Sequence, residues 1–199
     1  MEITQKIPEE SRVKALEIFY DAFAQKIRAL IKSKEKALAI YSKSLNPERV
    51  FYAVYEGEVA GLIGLQYGDQ YFMEFRYEIF REFYNPLTSR FYLFLLKRSA
   101  PKLKKGVMRI DSVAVDPGRR SLGIGSGLIN KVIDFAGEIG CQEVILEVVN
   151  TNPRAKALYE KLGFRQKKYK NFYFLTRVAG FTGEYIMSYD LEQFKQILF

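Results

Sequence analysis

The stretch Arg120-Ser121-Leu122-Gly123-Ile124-Gly125-Ser126 decides the fold of this chain. Before it, residues 106–115 (GVMRIDSVAV) are rich in β-branched side chains and predict a strand, which Asp116-Pro117-Gly118 ends with a turn. After it, apolar residues recur at helical spacing and predict an amphipathic helix over residues 126–137. The glycines let backbone N–H groups approach an anion, and the helix start adds the positive end of its dipole. The turn therefore suits a pyrophosphate.

The glycine-rich turn has a second interpretation, because a Gly-x-Gly turn between a strand and a helix often serves tight packing alone. Two nucleotide-binding patterns do not fit it. No Gly-Lys-Ser/Thr follows, as a Walker A loop requires, and the third glycine and early strand of the Rossmann fingerprint are missing. The turn alone leaves an anion site and a packing turn open.

A second informative stretch follows an apolar run of strand length at residues 144–149 (VILEVV) and reads NTNPRAKALYEKLGF over residues 150–164. Asn152 is a good helix N-cap, Pro153 suits the first helical turn and Gly163 suits the end of the helix. The stretch predicts a helix of about ten residues directly after the strand.

Together the two stretches resemble the GCN5-related N-acetyltransferase superfamily. In that family the pattern Arg/Gln-x-x-Gly-x-Gly/Ala binds the pyrophosphate of acetyl-CoA, and here it is matched by Arg120, Gly123 and Gly125 after VAVDP. The later pattern Asn-x-x-Ala-x-x-Leu-Tyr-x-x-x-Gly-Phe is matched at Asn152, Ala155, Leu158, Tyr159, Gly163 and Phe164. The clear resemblance covers residues 106–165. It implies an α/β (α+β) fold with a mixed, mostly antiparallel central sheet flanked by helices.

The resemblance also implies where acetyl-CoA, the co-substrate, would bind. A splay between the fourth and fifth strands would admit pantetheine, which main-chain atoms of Val113, Ala114 and Val115 would bind. The pyrophosphate would lie on the loop formed by Arg120, Ser121, Leu122, Gly123, Ile124, Gly125 and Ser126. Arg120 would pair with a phosphate or simply cap the loop. Asn152 would contact CoA, although its N-cap role explains it equally well.

Two catalytic residues follow from the same resemblance. Tyr159 resembles the family's general acid, which protonates the CoA thiolate as it leaves; a tyrosine packed in the core is the alternative. A base is needed because an alkylamine is mostly protonated near neutral pH. Asp111 is the first candidate, since a charge inside an apolar strand needs a reason, and alternation predicts that it shares a face with Val113. Glu147 is the second candidate, and some family members use no dedicated base.

The composition excludes several other chemistries. The chain has 199 residues, 48% of them hydrophobic, and a formal net charge of +8. It has no histidine and one cysteine, Cys141, so Ser-His-Asp and Cys-His catalysis are excluded and no metal is expected. A lone cysteine and the absence of a signal-peptide pattern predict a cytoplasmic protein. The basic residues are dispersed apart from small clusters at 102–105 and 165–170, so we expect no nucleic-acid partner. No apolar run is long enough to span a membrane, so we expect no membrane to be involved.

The rest of the chain agrees with one acetyltransferase domain over residues 1–199. Patterning predicts helices at 8–27 and 34–42, and strands at 2–7, 50–55 and 59–67. Residues 69–105 exceed the family's minimal layout and predict a helical insertion between the third and fourth strands, with helices at 71–84 and 87–98. Beyond the second motif we expect strands at 172–178 and 184–190 and a helix at 191–199.

The insertion is rich in aromatic residues, which either pack it onto the sheet or form the wall of an acceptor pocket or a dimer contact. Glu74, Glu78 and Glu82 stand at i, i+4 spacing and are expected to share one helix face. That face would be solvated or would attract a cationic amine.

The predicted function is acetyl transfer from acetyl-CoA to a primary amine by direct attack in a ternary complex. Because an aromatic insertion would narrow a groove for a protein substrate, we expect a small-molecule amine. The alternatives are a protein or peptide acceptor and a non-catalytic acyl-CoA-binding module on the same fold. Cys141 has no basic neighbour in sequence, so no acyl-cysteine is invoked. A homodimer is compatible with the family.

Overall fold

The computed structural model of the chain describes residues 1–99, 102–172 and 180–192. Its strands are β1 (Glu2–Thr4), β2 (Val50–Tyr55), β3 (Glu58–Gln66), β4 (Val107–Val115), β5 (Glu143–Val149), β6 (Arg165–Asn171) and β7 (Gly183–Asp190). They form one sheet in the order β1-β2-β3-β4-β5-β7-β6. Every neighbouring pair is antiparallel except β4 and β5. The predicted mixed, mostly antiparallel sheet is thus confirmed.

Helices cover both faces of this sheet. They are α1 (Glu9–Arg28), α2 (Lys34–Ser44), α3 (Tyr77–Arg81), α4 (Pro86–Ser99), α5 (Ile124–Glu138) and α6 (Pro153–Lys161). Helices α5 and α6 pack on one face around a core that includes Leu128 and Ile129. Helices α1 to α4 lie on the other face over a second core that includes Leu62 and Phe80. Across the described residues, no helix is both long and apolar enough to cross a membrane.

Strand β4 carries an extra residue at Asp111. Ile110 pairs with Leu65 of β3, whereas Ser112 pairs with the adjacent Gly64, so Asp111 has no partner of its own on β3. An extra residue of this kind is a β-bulge, which bends the strand and locally increases its twist. The bulge therefore divides β4 into two halves with different side-chain alternation.

The bulge overturns one sequence expectation. Asp111 does not share a face with Val113, because the extra residue resets the alternation between them. Val113 packs against the core beneath α5. Asp111 instead forms an ion pair with Arg109, 3.2 Å between Oδ1 and Nη1, on the opposite face of the sheet.

The insertion between β3 and β4 is only partly helical where helix was predicted. The second predicted helix is α4, but within 71–84 only Tyr77–Arg81 is helical. The preceding residues are tied to the end of α2: Asn46 N–H donates to the Phe72 carbonyl at 3.0 Å, and Glu74 N–H donates to the Ser44 carbonyl at 2.7 Å. These contacts between distant segments leave no helical hydrogen bonding for residues 71–76.

The three glutamates of the insertion therefore share no helix face. Glu74 precedes α3 and accepts a hydrogen bond from the Asn46 side chain at 2.9 Å. Glu82 follows α3 and pairs with Lys43 of α2. The acidic face expected from i, i+4 spacing does not form.

Near the C-terminus, β7 is preceded by a strand that was not predicted. It is β6 at Arg165–Asn171, whereas the strand predicted at 172–178 falls on residues of which 173–178 lie outside the described part of the chain. Its polar sequence RQKKYKN suits an edge position, because among the described strands β6 pairs with β7 alone, and it is exposed along most of its length. The predicted terminal helix at 191–199 lies outside the described residues from 193 onward.

The packing of Phe72 against Gly64 of β3 can be tested by substitution. A Cβ at Gly64 would lie 2.5 Å from Cδ1 of Phe72, whose side chain is 1% exposed. We expect Gly64→Ala to destabilise the protein by about 1–3 kcal/mol, the usual cost of overpacking a core, measured by urea unfolding. Gly137→Ala is the control, since its Cβ would meet only Cδ2 of Leu191, at 4.0 Å. Equal stability of the two variants would contradict this packing.

Candidate active site

The central feature of the candidate site is an opening in the sheet. Parallel pairing of β4 with β5 ends at Ile110 and Leu146, although β4 continues to Val115 and β5 to Val149. Beyond that point β4 pairs only with β3 among the described strands. The edge of β4 over residues 111–115 therefore has free main-chain groups, and an extended ligand could bind there as an added strand.

The loop that follows β4 carries a second set of unpaired donors. Among the described residues, the backbone N–H groups of residues 120–126 meet no hydrogen-bond acceptor. Ser121 (φ 69°) and Gly123 (φ 78°) are left-handed, and α5 starts directly after Gly123. Left-handed residues beside a helix start form concave sites for anions.

The side chains of Asp116 and Arg119, just before the loop, anchor it. Asp116 accepts a hydrogen bond from Gly118 N–H at 2.8 Å. Arg119 donates to Glu58 at 2.6 Å and to the Tyr55 carbonyl at 2.9 Å, which fastens the loop to the β2–β3 hairpin. Arg120 is exposed and has no ion pair within the described residues. Arg119 thus fixes the loop, and Arg120 remains available for a phosphate.

Four of the eleven predicted cofactor residues have side chains that pack into a core. Ile124 is 1% exposed and Ala114 is 2% exposed, so both belong to the core. Val113 and Val115 also pack against the core, whereas Leu122 is exposed. Any ligand contact with Ile124 or with Val113–Val115 would therefore use main-chain atoms, as was expected for Val113–Val115.

Helix α6 begins beside the glycine-rich loop. Asn152 caps the helix, its Oδ1 accepting from Ala155 N–H at 3.1 Å. This confirms the N-cap interpretation and leaves the Asn152 amide group free to donate. Arg154 reaches across to donate a hydrogen bond to Ser121 Oγ at 2.9 Å. A second arginine therefore lies at the loop, and sequence reasoning had not identified it.

Tyr159 lies on the α6 side of the sheet, partly buried against the main core. Its ring packs 6.0 Å from that of Phe164, and its hydroxyl has no hydrogen-bond partner in the described part of the chain. Burial raises the pKa of Tyr159 to about 12. A tyrosine is protonated at neutral pH with or without this rise, so the phenol has a proton to donate, and burial makes it a weaker acid.

Two carboxylates lie at the start of the opening on the other face of the sheet. Asp111 and Glu147 are the first residues beyond the last β4–β5 pair. Arg109 bridges them, 3.2 Å from Asp111 and 2.7 Å from Glu147. Arg109 is 8% exposed, and Lys170 of β6 donates a second 2.7 Å hydrogen bond to Glu147.

The two carboxylates differ in electrostatic state. Burial raises the pKa of Asp111; Arg109 opposes the rise and the charge of Glu147 adds to it. Burial also raises the pKa of Glu147, but Arg109 and Lys170 outweigh this effect and hold it below its usual value. Asp111 keeps 31% of its side chain exposed. Of the two, Asp111 is the more basic and the less constrained.

A further ion pair lies on the same face of the sheet as Asp111 and Glu147. Lys26 of α1 lies 3.7 Å from Glu184 of β7. Burial raises the pKa of Glu184, and Lys26 opposes the rise.

Asn150 holds the end of β5 to the start of β7, accepting from the N–H groups of Thr182 at 3.2 Å and Gly183 at 3.3 Å.

Sequence reasoning missed Arg109, Asn150 and Arg154. Arg109 had a signal, since it is a charge in an apolar strand, the same anomaly that identified Asp111. Asn150 and Arg154 had none, because their partners are distant in sequence. Within the described ranges, no group of three His, Cys, Asp or Glu residues could hold a metal ion.

Comparison with known proteins gives the family. The model of the acetyltransferase (GNAT) family matches residues 15–164. N-alpha-acetyltransferase 30 of Dictyostelium discoideum is 30% identical over 149 residues, which cover 68% of this chain and 79% of that protein. Several other curated relatives are matched over 19% to 44% of their length. Among them, the glucosamine 6-phosphate N-acetyltransferase of Trypanosoma brucei brucei is 38% identical over 68 residues, 33% of this chain and 44% of that protein.

Solved structures agree with the fold. An N-acetyltransferase from Staphylococcus aureus Mu50 superimposes with a TM-score of 0.63 over 95% of this chain and 100% of that one, at 17% identity. The family match covers the opening, the glycine-rich loop and Tyr159 together. The chain belongs to the acetyltransferase (GNAT) family.

Proposed function

We propose that residues 1–199 form one domain that transfers the acetyl group of acetyl-CoA to a primary amine by direct attack in a ternary complex. One observation carries the proposal: the β4–β5 ladder stops at Ile110 and Leu146, beside a loop of unpaired N–H donors. A free strand edge next to an anion-binding loop suits a ligand with an amide-containing arm and a pyrophosphate.

The residues present fit acetyl-CoA. Main-chain groups of Val113–Val115 bind the pantetheine arm, and the N–H groups of residues 120–126 bind the pyrophosphate, with Arg120 supplying positive charge. Arg154 positions Ser121 within this loop. The free side-chain amide of Asn152 adds a donor. When bound, acetyl-CoA supplies an activated thioester carbonyl.

Proton transfer is divided between the two faces of the sheet. Tyr159, protonated at neutral pH, donates to the departing thiolate from the α6 side. From the other side, Asp111 accepts a proton from the ammonium group of the acceptor, directly or through water, and the neutral amine that results attacks the thioester carbonyl. A base must be accessible and have a raised pKa, which favours Asp111 over Glu147, because Glu147 is held by Arg109 and Lys170.

Two acceptor classes each have a supporting observation. A small-molecule amine agrees with the match to glucosamine 6-phosphate N-acetyltransferase. A protein or peptide amino terminus agrees with the longer match to N-alpha-acetyltransferase 30. The aromatic insertion no longer favours the small-molecule class, because Phe72 and Phe80 do not narrow a groove but are buried in the core beneath α1 and α2.

A free-thiol assay with acetyl-CoA tests the proposal and separates the two classes. The acceptors are spermidine, glucosamine 6-phosphate, and a short peptide lacking lysine, with its N-acetylated twin as the matched control. CoA release with the free peptide but not the twin identifies an α-amine acceptor. Release with the small amines alone identifies the other class. Binding of acetyl-CoA without release for any amine would favour a non-catalytic acyl-CoA-binding module.

Gly125→Glu tests the role of the loop separately from the fold, with Gly125→Ala as its matched control. A Cβ at this position would be 3.8 Å from both Leu158 and Val115, so it fits, and alanine favours a helix over glycine by about 0.5–1 kcal/mol. We expect unchanged or higher stability and retained acetyl-CoA binding in Gly125→Ala, because the family pattern accepts alanine at this position. Gly125→Glu should weaken acetyl-CoA binding at least about tenfold by calorimetry, because its carboxylate would occupy the proposed pyrophosphate site. Wild-type affinity in Gly125→Glu would mean that the loop does not bind the pyrophosphate.

Tyr159→Phe removes the proposed acid while keeping the ring packed on Phe164. We expect kcat to fall about 100-fold or more, the usual contribution of a general acid, with little change in acetyl-CoA affinity. Tyr71→Phe, a partly buried tyrosine in the insertion, is the control. Undiminished turnover would remove Tyr159 from the mechanism.

Asp111→Asn tests the base. Asp111 binds its proton more tightly in the folded protein than in the unfolded chain, so its ionisation opposes folding above the raised pKa, and the substitution should not lower stability at pH 7. We expect kcat/KM to fall. In the wild-type protein, kcat/KM should decline as the pH drops through the pKa of Asp111, and the pH profile of the variant should lack this declining limb. Glu147→Gln is the comparison. If that variant alone loses the limb, Glu147 is the base.

A further inference from the structure

Helix α4 exposes a row of large apolar side chains. Leu87 is 78% exposed, Phe91 56% and Phe94 61%. Their spacing of i, i+4 and i+7 places them on one side of the helix, and we call this row the α4 ridge. Exposed apolar side chains that form a row, rather than single positions, commonly mark an interaction surface.

The ridge is not the inner face of α4. The inner face contains Ser89, which is fully buried, and Tyr92, whose ring packs 5.0 Å from that of Tyr84. Leu96 packs against the core beneath α1 to α4 that includes Phe80. Because α4 is already attached through these residues, the ridge is a second apolar face that projects outward. A convex row of this kind suits a broad surface rather than a single inserted side chain.

The segment of sequence that contains the ridge carries charge of one sign. From Phe83 to Met108 the sequence contains no Asp or Glu, while Arg90, Lys97, Arg98, Lys102, Lys104 and Lys105 are basic. Arg90 is exposed, and so are Lys102, Lys104 and Lys105, which have no ion pair within the described residues. The acidic residue just before this region, Glu82, is paired with Lys43.

We propose that the α4 ridge docks the enzyme on the surface of an anionic lipid bilayer. Leucine and phenylalanine inserted at the level of the head groups, with lysine and arginine on either side, are the chemistry of an interfacial helix. A second copy of this chain fits less well, because a symmetric contact through the ridge would bring the two basic regions together. None of the ridge residues belongs to the proposed active site.

The proposal revises the expectation that no membrane is involved. That expectation rested on the lack of an apolar run long enough to span a bilayer. An interfacial helix has no such length requirement, since it lies in the plane of the membrane. A helix of 14 residues such as α4 is sufficient.

The absence of tryptophan gives a direct measurement. Phe94→Trp introduces a single fluorophore on the ridge, and Val13→Trp places one at an exposed position of α1, 60% exposed. Each full-length protein is titrated with vesicles of phosphatidylcholine alone and with vesicles containing about 30% phosphatidylserine. We expect a blue shift for Phe94→Trp with anionic vesicles only, weakened by salt, and no comparable shift for Val13→Trp.

Vesicle sedimentation of the tryptophan-free protein supplies the second arm. Phe91→Ser combined with Phe94→Ser should reduce binding at least about tenfold, whereas Val13→Ser should not. Both positions are exposed, so the variants are expected to fold, and an unchanged melting temperature checks this. Binding that survives the double substitution would overturn the ridge as the membrane contact.

Three further outcomes would also overturn the proposal. Failure to bind either type of vesicle would leave a protein partner as the occupant. A blue shift that grows with protein concentration without vesicles would point to a second copy. Blue-shifted emission of Phe94→Trp in dilute protein without vesicles would mean that the chain itself covers the ridge.

Discussion

The site depends on the point at which the β4–β5 ladder stops. The next residue on each strand is a carboxylate, Asp111 on β4 and Glu147 on β5. Two such charges side by side would repel each other, and Arg109 bridges them instead. The bulge at Asp111 bends β4 just where pairing with β5 is lost. A ladder that continued to Val115 and Val149 would leave no free strand edge and no opening.

In the proposed mechanism, the opening also separates two proton-transfer tasks in a protein that has no histidine. Tyr159 is protonated at neutral pH on the α6 face, and burial raises the pKa of Asp111 on the other. Arg109 and Lys170 keep Glu147 ionised, so that one carboxylate stays fixed and the other can exchange a proton. The environment of each group, more than its residue type, assigns its role in the proposed mechanism.

Features set by local chemistry were predictable from the sequence. The Asn152 cap depends on neighbouring residues alone, and the loop at Gly123 was found in the same way. Features set by distant partners were not. The bulge at Asp111 exists only against β3, and residues 71–76 follow hydrogen bonds to the end of α2. Arg109 was missed because its role appears only when β5 lies beside β4.

The central claim is that the free N–H groups beside the opening bind acetyl-CoA. Hydrogen–deuterium exchange with and without acetyl-CoA tests it most directly, because an unpaired N–H exchanges fast until a ligand accepts its hydrogen bond. The account predicts slower exchange in peptides covering residues 111–115 and 120–126, with no change in β6. Acetyl-CoA binding that left both segments unprotected, or protected only another part of the protein, would contradict it.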